Sequence, residues 1–302
     1  MNCDNLKTTS LNECNLVPYD NGIYGVYLKG HILEESITKR SHTTNFEKNI
    51  LYSFKENVHN KIDTAIYGGL LLTHYGHFIF ESLSRLWYSR LDKSTPILFC
   101  SKQKVIKKFQ QDIFNFLGIK NPIILVKEPI GVDNLIIPEP GSRIRDYLSE
   151  QHMEFLSCYP YNVDSNKKVW LSRSNLVRFI HQVDNEKELE SKLEEKGWEI
   201  IHPQEYSIAD QLEILANSSR IAGFVGSAFH TLLFFKEFTG QVTLFLRNPH
   251  KDFGPRIKIN ETYETIAKAK GINQSVIKPS LEFKTQKQSS IIDLSTILKE
   301  LS

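Results

Sequence analysis

The sequence predicts an α/β fold made of two Rossmann-like layers, and three observations carry that reading. From Ile62 onward, short apolar runs of four or five residues alternate with longer amphipathic stretches. Two of those stretches stop at a glycine, Gly118 and Gly197, as helices commonly do. The alternation lapses between Pro138 and Lys168 and then restarts, dividing the 302 residues into an N-terminal domain, 1–160, and a C-terminal one, 161–302. At that length both domains must be near-minimal.

Taken in order, residues 1–60 show no helical period, and only fragments such as 25–28 read as strands. A strand is expected at 64–67, then a break at Gly68 and Gly69 and a helix over about 75–91. Residues 96–100 read as a buried strand, the Lys-rich stretch 102–117 as a helix, and 123–126 as a further strand. A helix is expected near 147–156, and the polar segment 161–166 marks the boundary. Strands at 169–172, 198–201, 220–223 and 242–246 then alternate with helices at 186–196, 207–217 and 228–235. Ser207 followed by Asp210 is a capping-box variant at a helix start. A last helix, 291–301, is expected to cross back and brace the first domain. Open parallel sheets bind ligands beyond the carboxyl ends of their strands, so the two layers are expected to face one another across a cleft.

Composition narrows the function. Lys and Arg number 37 against 35 Asp and Glu, a formal net charge of +2, which argues against a polyanion partner such as nucleic acid. A small anionic substrate needs only a few arginines and is not excluded. Cys3, Cys14, Cys100 and Cys158 form no C-x-x-C pair, so neither a zinc site nor a redox motif is expected. The start, MNCDNLKTTSLNEC, has no signal-peptide pattern, and no apolar run approaches the ~20 residues of a membrane span. A cytoplasmic protein is the expectation. The Lys102–Lys108 run reads as a solvated helix face, with peripheral contact at the inner face of a membrane as the lesser alternative.

Three segments could carry chemistry. In the first, His74, His77, Glu81, Arg85 and Tyr88 share one sector of a helix at about 100° per residue, opposite Ile79, Phe80, Leu83, Leu86, Trp87 and Leu91. A solvated stripe would carry the same polarity. A His–Glu pair at i, i+4 also suits proton transfer, because the carboxylate orients the imidazole or itself acts as base. With no third or fourth ligand cluster in the sequence, a metal site is not expected.

In the second segment, Gly223, Gly226 and Ser227 follow a strand and open an apolar helix, with His230 one turn on. Free N–H groups at such a turn bind phosphate, although a plain strand-to-helix turn needs the same small residues. No Walker signature is present. In the third, Arg173 and Arg178 lie just past a strand, where a guanidinium can make bidentate contacts to diphosphate oxygens.

Together these segments resemble glycosyltransferase family 61, in its bacterial capsule and surface-polysaccharide branch. His74, His77, Phe78 and Glu81 match the family's H-x-x-H-[FW]-x-x-[DE]. Arg173, Arg178, Asn185 and Glu186 match its Arg-rich segment leading to Asn-Glu, and Gly223, Gly226, Ser227 and Ala228 match its glycine turn. Val225 stands where many members carry a histidine, leaving His230 as the nearest histidine for the donor diphosphate. The resemblance runs from about Ile66 to Leu246.

It implies a GT-B architecture, with the acceptor on the N-terminal domain and a nucleotide-sugar on the C-terminal one. It also implies an inverting, metal-independent transfer to an oligosaccharide or lipid-linked glycan, with no cofactor beyond the donor as co-substrate. Glu81, His77 and His74 are then the expected catalytic group, and Arg173, Arg178, Gly226, Ser227 and His230 the donor-binding group. A nucleotide-sugar epimerase or hydrolase on the same fold, a non-catalytic binding subunit, and homo-oligomerisation stay open as alternatives.

Overall fold

The computed structural model describes residues 5–38, 49–55, 58–161, 166–176, 182–247, 259, 261–285 and 288–302. The chain divides into two compact units, Met1–Leu156 and Ser157–Ser302. Among the described residues no helix is long and apolar enough to cross a membrane.

The first unit is built on a seven-stranded mixed sheet in the order β3-β2-β1-β7-β4-β5-β6. Its parallel part comprises β4 (Lys61–Leu71), β5 (Ile97–Ser101), β6 (Ile123–Val126) and β7 (Ile130–Pro138). The supposedly patternless start supplies the antiparallel part, β1 (Thr8–Asp20), β2 (Ile23–Leu28) and β3 (His31–Ile32). Two tight hairpins join these strands. Asn21 and Gly22 have φ of 46° and 95°, and Lys29 and Gly30 have 50° and 85°, the left-handed pairs that two-residue loops require.

This unit therefore departs from the expected doubly wound layer. One face of the sheet gathers Leu16, Val26, Tyr67, Leu98, Val126 and Leu135 into a core that Ile37, outside the strands, also joins. The sheet curls over that core far enough for the Cys100 thiol to donate to the Val17 carbonyl at 3.1 Å. The other face, bearing Ile97 and Phe99, is covered by the helix Lys108–Phe116, whose Phe114 packs on Phe99 and Phe78. That helix starts six residues later than expected, because the amide of Gln110 reaches back to cap the Lys107 N–H at 2.9 Å. Residues 147–156 also divide, into β9 (Tyr147–Leu148), paired with β8 (Ser142–Arg143), and the helix Glu150–Leu156.

The second unit holds a five-stranded, wholly parallel sheet in the order β12-β10-β13-β14-β15. Its strands are β10 (Lys167–Leu171), β12 (Trp198–Ile201), β13 (Ser218–Phe224), β14 (Gln241–Phe245) and β15 (Asn273–Ile277), while β11 (Gln182–Val183), β16 (Leu281–Thr285) and β17 (Gln288–Ile291) form a separate small sheet. The first of these strands in chain order, β10, stands second in the sheet, so the winding reverses between β10 and β13, the switch point where such folds bind ligands. Trp170, Phe224 and Phe245 stack on one face beneath Leu189 and Leu193 of the helix Glu186–Glu194. The last helix, Leu294–Glu300, adds Ile297 to the same core. Ser207 accepts the Asp210 N–H at 3.2 Å, which fixes the start of the helix Ile208–Ala216.

Candidate active site

The first cluster grows from the carboxyl end of β4. Strand pairing continues through Gly68 and Gly69 as a bulge, since a side chain on Gly68 would lie 2.8 Å from Ile97 and Phe99. Gly69 takes φ +89°, and Arg85 packs over its open side. Beyond the strand the chain forms one α turn, Tyr75–His77, then a π turn, Phe78–Ser82, with the Leu83 N–H reaching the Phe78 carbonyl at 3.1 Å. A 3₁₀ turn, Leu86–Arg90, follows, so the expected continuous helix is three short pieces.

Serine hydroxyls hold the π turn. Ser142 donates to the Phe80 carbonyl at 2.6 Å and Ser84 to the Glu81 carbonyl at 2.6 Å. Ser82 donates to Leu70 at 2.8 Å and accepts the Leu72 N–H at 2.9 Å, tying the turn to β4.

The result seats a buried carboxylate beside a half-exposed imidazole. His77 Nδ1 lies 2.7 Å from Glu81 Oε2, with side-chain exposures of 35% and 3%. A proton on Nδ1 donated to the carboxylate leaves Nε2 as the basic nitrogen. His74, exposed at the start of the α turn, sets its ring 5.0 Å from that of His77. The three expected catalytic residues thus come together. The solvated stripe does not: Glu81 and Arg85 are buried, while Leu91, assigned to the core face, is 71% exposed. Arg85 turns inward because its guanidinium donates to the carbonyls of Pro138 and Glu35.

The second cluster sits at the switch point of the parallel sheet. Arg173, Gly226 and Arg247 each lie two residues past the end of a strand, on the adjacent strands β10, β13 and β14. A Cβ on Gly226 would stand 2.6 Å from Arg173 Nη1, so the guanidinium lies directly on the glycine turn. Arg247 donates from Nε to the Val225 carbonyl at 2.6 Å, on the flank of the same turn. Ser227 is half-buried at the start of the 3₁₀ segment Ser227–Phe234 that follows, which replaces the expected α-helix.

Carboxylates of the next helix stake out the Arg173 loop. Glu186 Oε1 accepts the Arg173 backbone N–H at 3.0 Å and the Trp170 indole N–H at 3.2 Å. Glu190 accepts the hydroxyls of Ser172 and Ser174. Burial pushes the Glu186 carboxyl up to about 7 and lowers the Arg173 guanidinium, the two partly offsetting each other. Asn185 exchanges hydrogen bonds with the backbone of Ile291, pinning β17 (Gln288–Ile291) to the helix start.

Tyr263 completes the cluster. Burial pushes its phenol up to about 12 against the opposing charges of Arg247 and Arg173. His230 is buried with its ring 5.3 Å from that of Tyr263. Arg178 lies outside the described residues.

Sequence reasoning missed Arg247 and Tyr263. The rule that singled out Arg173, an arginine just past a strand's carboxyl end, applies equally to Arg247. Among the described residues no group of three His, Cys, Asp or Glu side chains could hold a metal ion.

The parallel sheet thus carries two arginines just past the ends of its strands, in a chain that also holds a His–Glu pair. The chain belongs to glycosyltransferase family 61: the model of that family, Glycosyltransferase 61, matches residues 75–242, which hold both clusters except His74, Arg247 and Tyr263. It is accordingly a glycosyltransferase. No curated protein matches it significantly.

Proposed function

We propose that the chain is an inverting, metal-independent glycosyltransferase of GT-B type that builds capsular or surface polysaccharide at the cytoplasmic face of the membrane. The donor is a nucleotide-sugar, carried by the second unit, and the acceptor is an oligosaccharide or lipid-linked glycan, carried by the first. The observation that most supports this reading is the seating of Arg173 on the Gly226 turn with Arg247 on its flank. Two guanidiniums beside free N–H groups at a switch point suit a diphosphate.

In this reading the acceptor hydroxyl loses its proton to the His77–Glu81 pair as its oxygen bonds to the anomeric carbon from the face opposite the leaving group. The bond from that carbon to the diphosphate oxygen breaks, and the nucleoside diphosphate leaves with the electron pair. Arg173, Arg178, Arg247 and the N–H groups at Gly226 and Ser227 stabilise the charge that develops. His230 supports this surface through Tyr263, and His74 shapes the approach to His77.

A thermal-shift screen across UDP-, GDP-, CMP- and dTDP-sugars tests the reading, because a ligand that binds only the folded chain raises its melting temperature. One nucleotide class should stabilise wild type and fail to stabilise Arg247→Leu. No shift with any donor, or an altered sugar formed from donor alone, would contradict it.

A further inference from the structure

The first unit contains a cavity of about 340 Å³ that none of the sequence motifs anticipated. It lies within the size range of small-molecule sites. Glu81, Ser84 and Arg85 of the π turn and its continuation form its inner wall, together with Ser142, and Lys7 and Glu139 stand among the residues toward solvent. The carboxylate that pairs with His77 is thus also a wall of this chamber.

Arg85 is the unusual member. It is 4% exposed, and burial lowers its pKa. It stacks over the Tyr67 ring at 5.3 Å and donates to the carbonyls of Pro138 and Glu35. Those bonds occupy two of the five N–H groups of a guanidinium. Among the described residues no carboxylate forms an ion pair with it. The Glu139 carboxylate at the mouth acts on it only at longer range. A buried cation with no carboxylate in contact is costly, and the bidentate fork of arginine is best satisfied by a carboxylate or phosphate.

We propose that this cavity is the acceptor subsite and takes a sugar ring that carries a carboxylate. The ring's carboxylate pairs with Arg85, and Lys7 at the mouth adds attraction for the same charge. A hydroxyl of the ring then faces Glu81, four residues earlier in the chain. A neutral ring would leave Arg85 with no anion in contact, so the site favours an acidic residue at the acceptor end of the glycan. This assignment rests on the glycosyltransferase reading for its meaning, but it is tested by binding alone.

Calorimetric titration of the full chain with methyl glucuronide, methyl glucoside and inorganic phosphate, with no donor present, provides the test. Methyl glucuronide should bind at least about tenfold more tightly than methyl glucoside, a difference of about 1.4 kcal/mol. Lys7→Glu changes only an exposed side chain and should weaken methyl glucuronide about tenfold while leaving the melting temperature unchanged. Arg85→Gln should abolish the preference for the acid in whatever fraction of the variant folds. Equal affinity for the two glycosides, no binding of either, an unaffected Lys7→Glu, or phosphate binding as tightly as methyl glucuronide would each overturn the assignment. Donor-induced stabilisation is read separately, so the acceptor proposal can fail while the transferase reading stands, and the reverse.

Discussion

The carboxylate of Glu186 holds the backbone of Arg173 at 3.0 Å while it is itself almost wholly buried. The same oxygen takes the Trp170 indole proton, so one side chain fixes both the end of β10 and the arginine that follows it. Burial sets the Glu186 pKa at about 7 against an unfolded value near 4.5. The folded chain therefore binds more protons than the unfolded chain between those values. Its contribution is fully present below about pH 4.5 and is lost as pH rises through 7.

Glu186→Gln keeps an acceptor for the Arg173 and Trp170 protons without the buried charge. It should melt higher than wild type at pH 8, and the difference should shrink toward pH 5. Glu186→Ala removes the acceptor and should raise the donor KM about tenfold, as expected when an orphaned buried N–H costs roughly 1–3 kcal/mol. Melting curves at the two pH values and donor KM measurements check both. A Gln variant no more stable than wild type at pH 8 would show that Glu186 is held ionised without cost.

Gly226→Ala tests the contact between the glycine turn and Arg173. The backbone at Gly226 is extended, with φ of −167°, so alanine introduces no conformational strain. Its Cβ would meet only the far end of a flexible side chain, which must move. The melting temperature should stay within a few degrees of wild type, while donor affinity falls at least tenfold, or about 1.4 kcal/mol. Unchanged donor affinity would separate Arg173 from the donor.

His152 gives the first unit an acid sensitivity of its own. Its ring is fully buried against Phe155, neither nitrogen has a hydrogen-bond partner among the described residues, and burial pushes its pKa down to about 3. The unfolded chain takes up that proton near pH 6.5, so the stability is full above 6.5 and is lost as pH falls toward 3. His152→Leu should flatten the decline in melting temperature between pH 6.5 and 4. A variant that loses stability across that range as steeply as wild type would point to other groups.

Strands of both units were legible in the sequence. The strands at 123–126 and 198–201 emerge at their expected boundaries, because Pro122 and Gly197 punctuate them. The start of the chain was not. β1 pairs with β7 more than a hundred residues away, and its first half is mostly exposed, so no local apolar alternation marks it. The Asn21-Gly22 dipeptide did signal a hairpin and was the clue to use.

The His–Glu spacing led to the right residues through an imperfect picture. His77 and Glu81 meet at i, i+4 even though the continuous helix gives way to a π turn held by its own serines and by the distant Ser142. Periodicity carries no sign of Arg85 folding inward, because the carbonyls that draw it in belong to Pro138 and Glu35.

The most direct measurement is single-turnover transfer by Glu81→Gln with the donor identified by thermal shift. Donor affinity should match wild type, and the rate of transfer should fall by ~10²–10⁴, the usual contribution of a positioned general base. A variant that transfers sugar within threefold of the wild-type rate would contradict the assignment of the His77–Glu81 pair to proton removal.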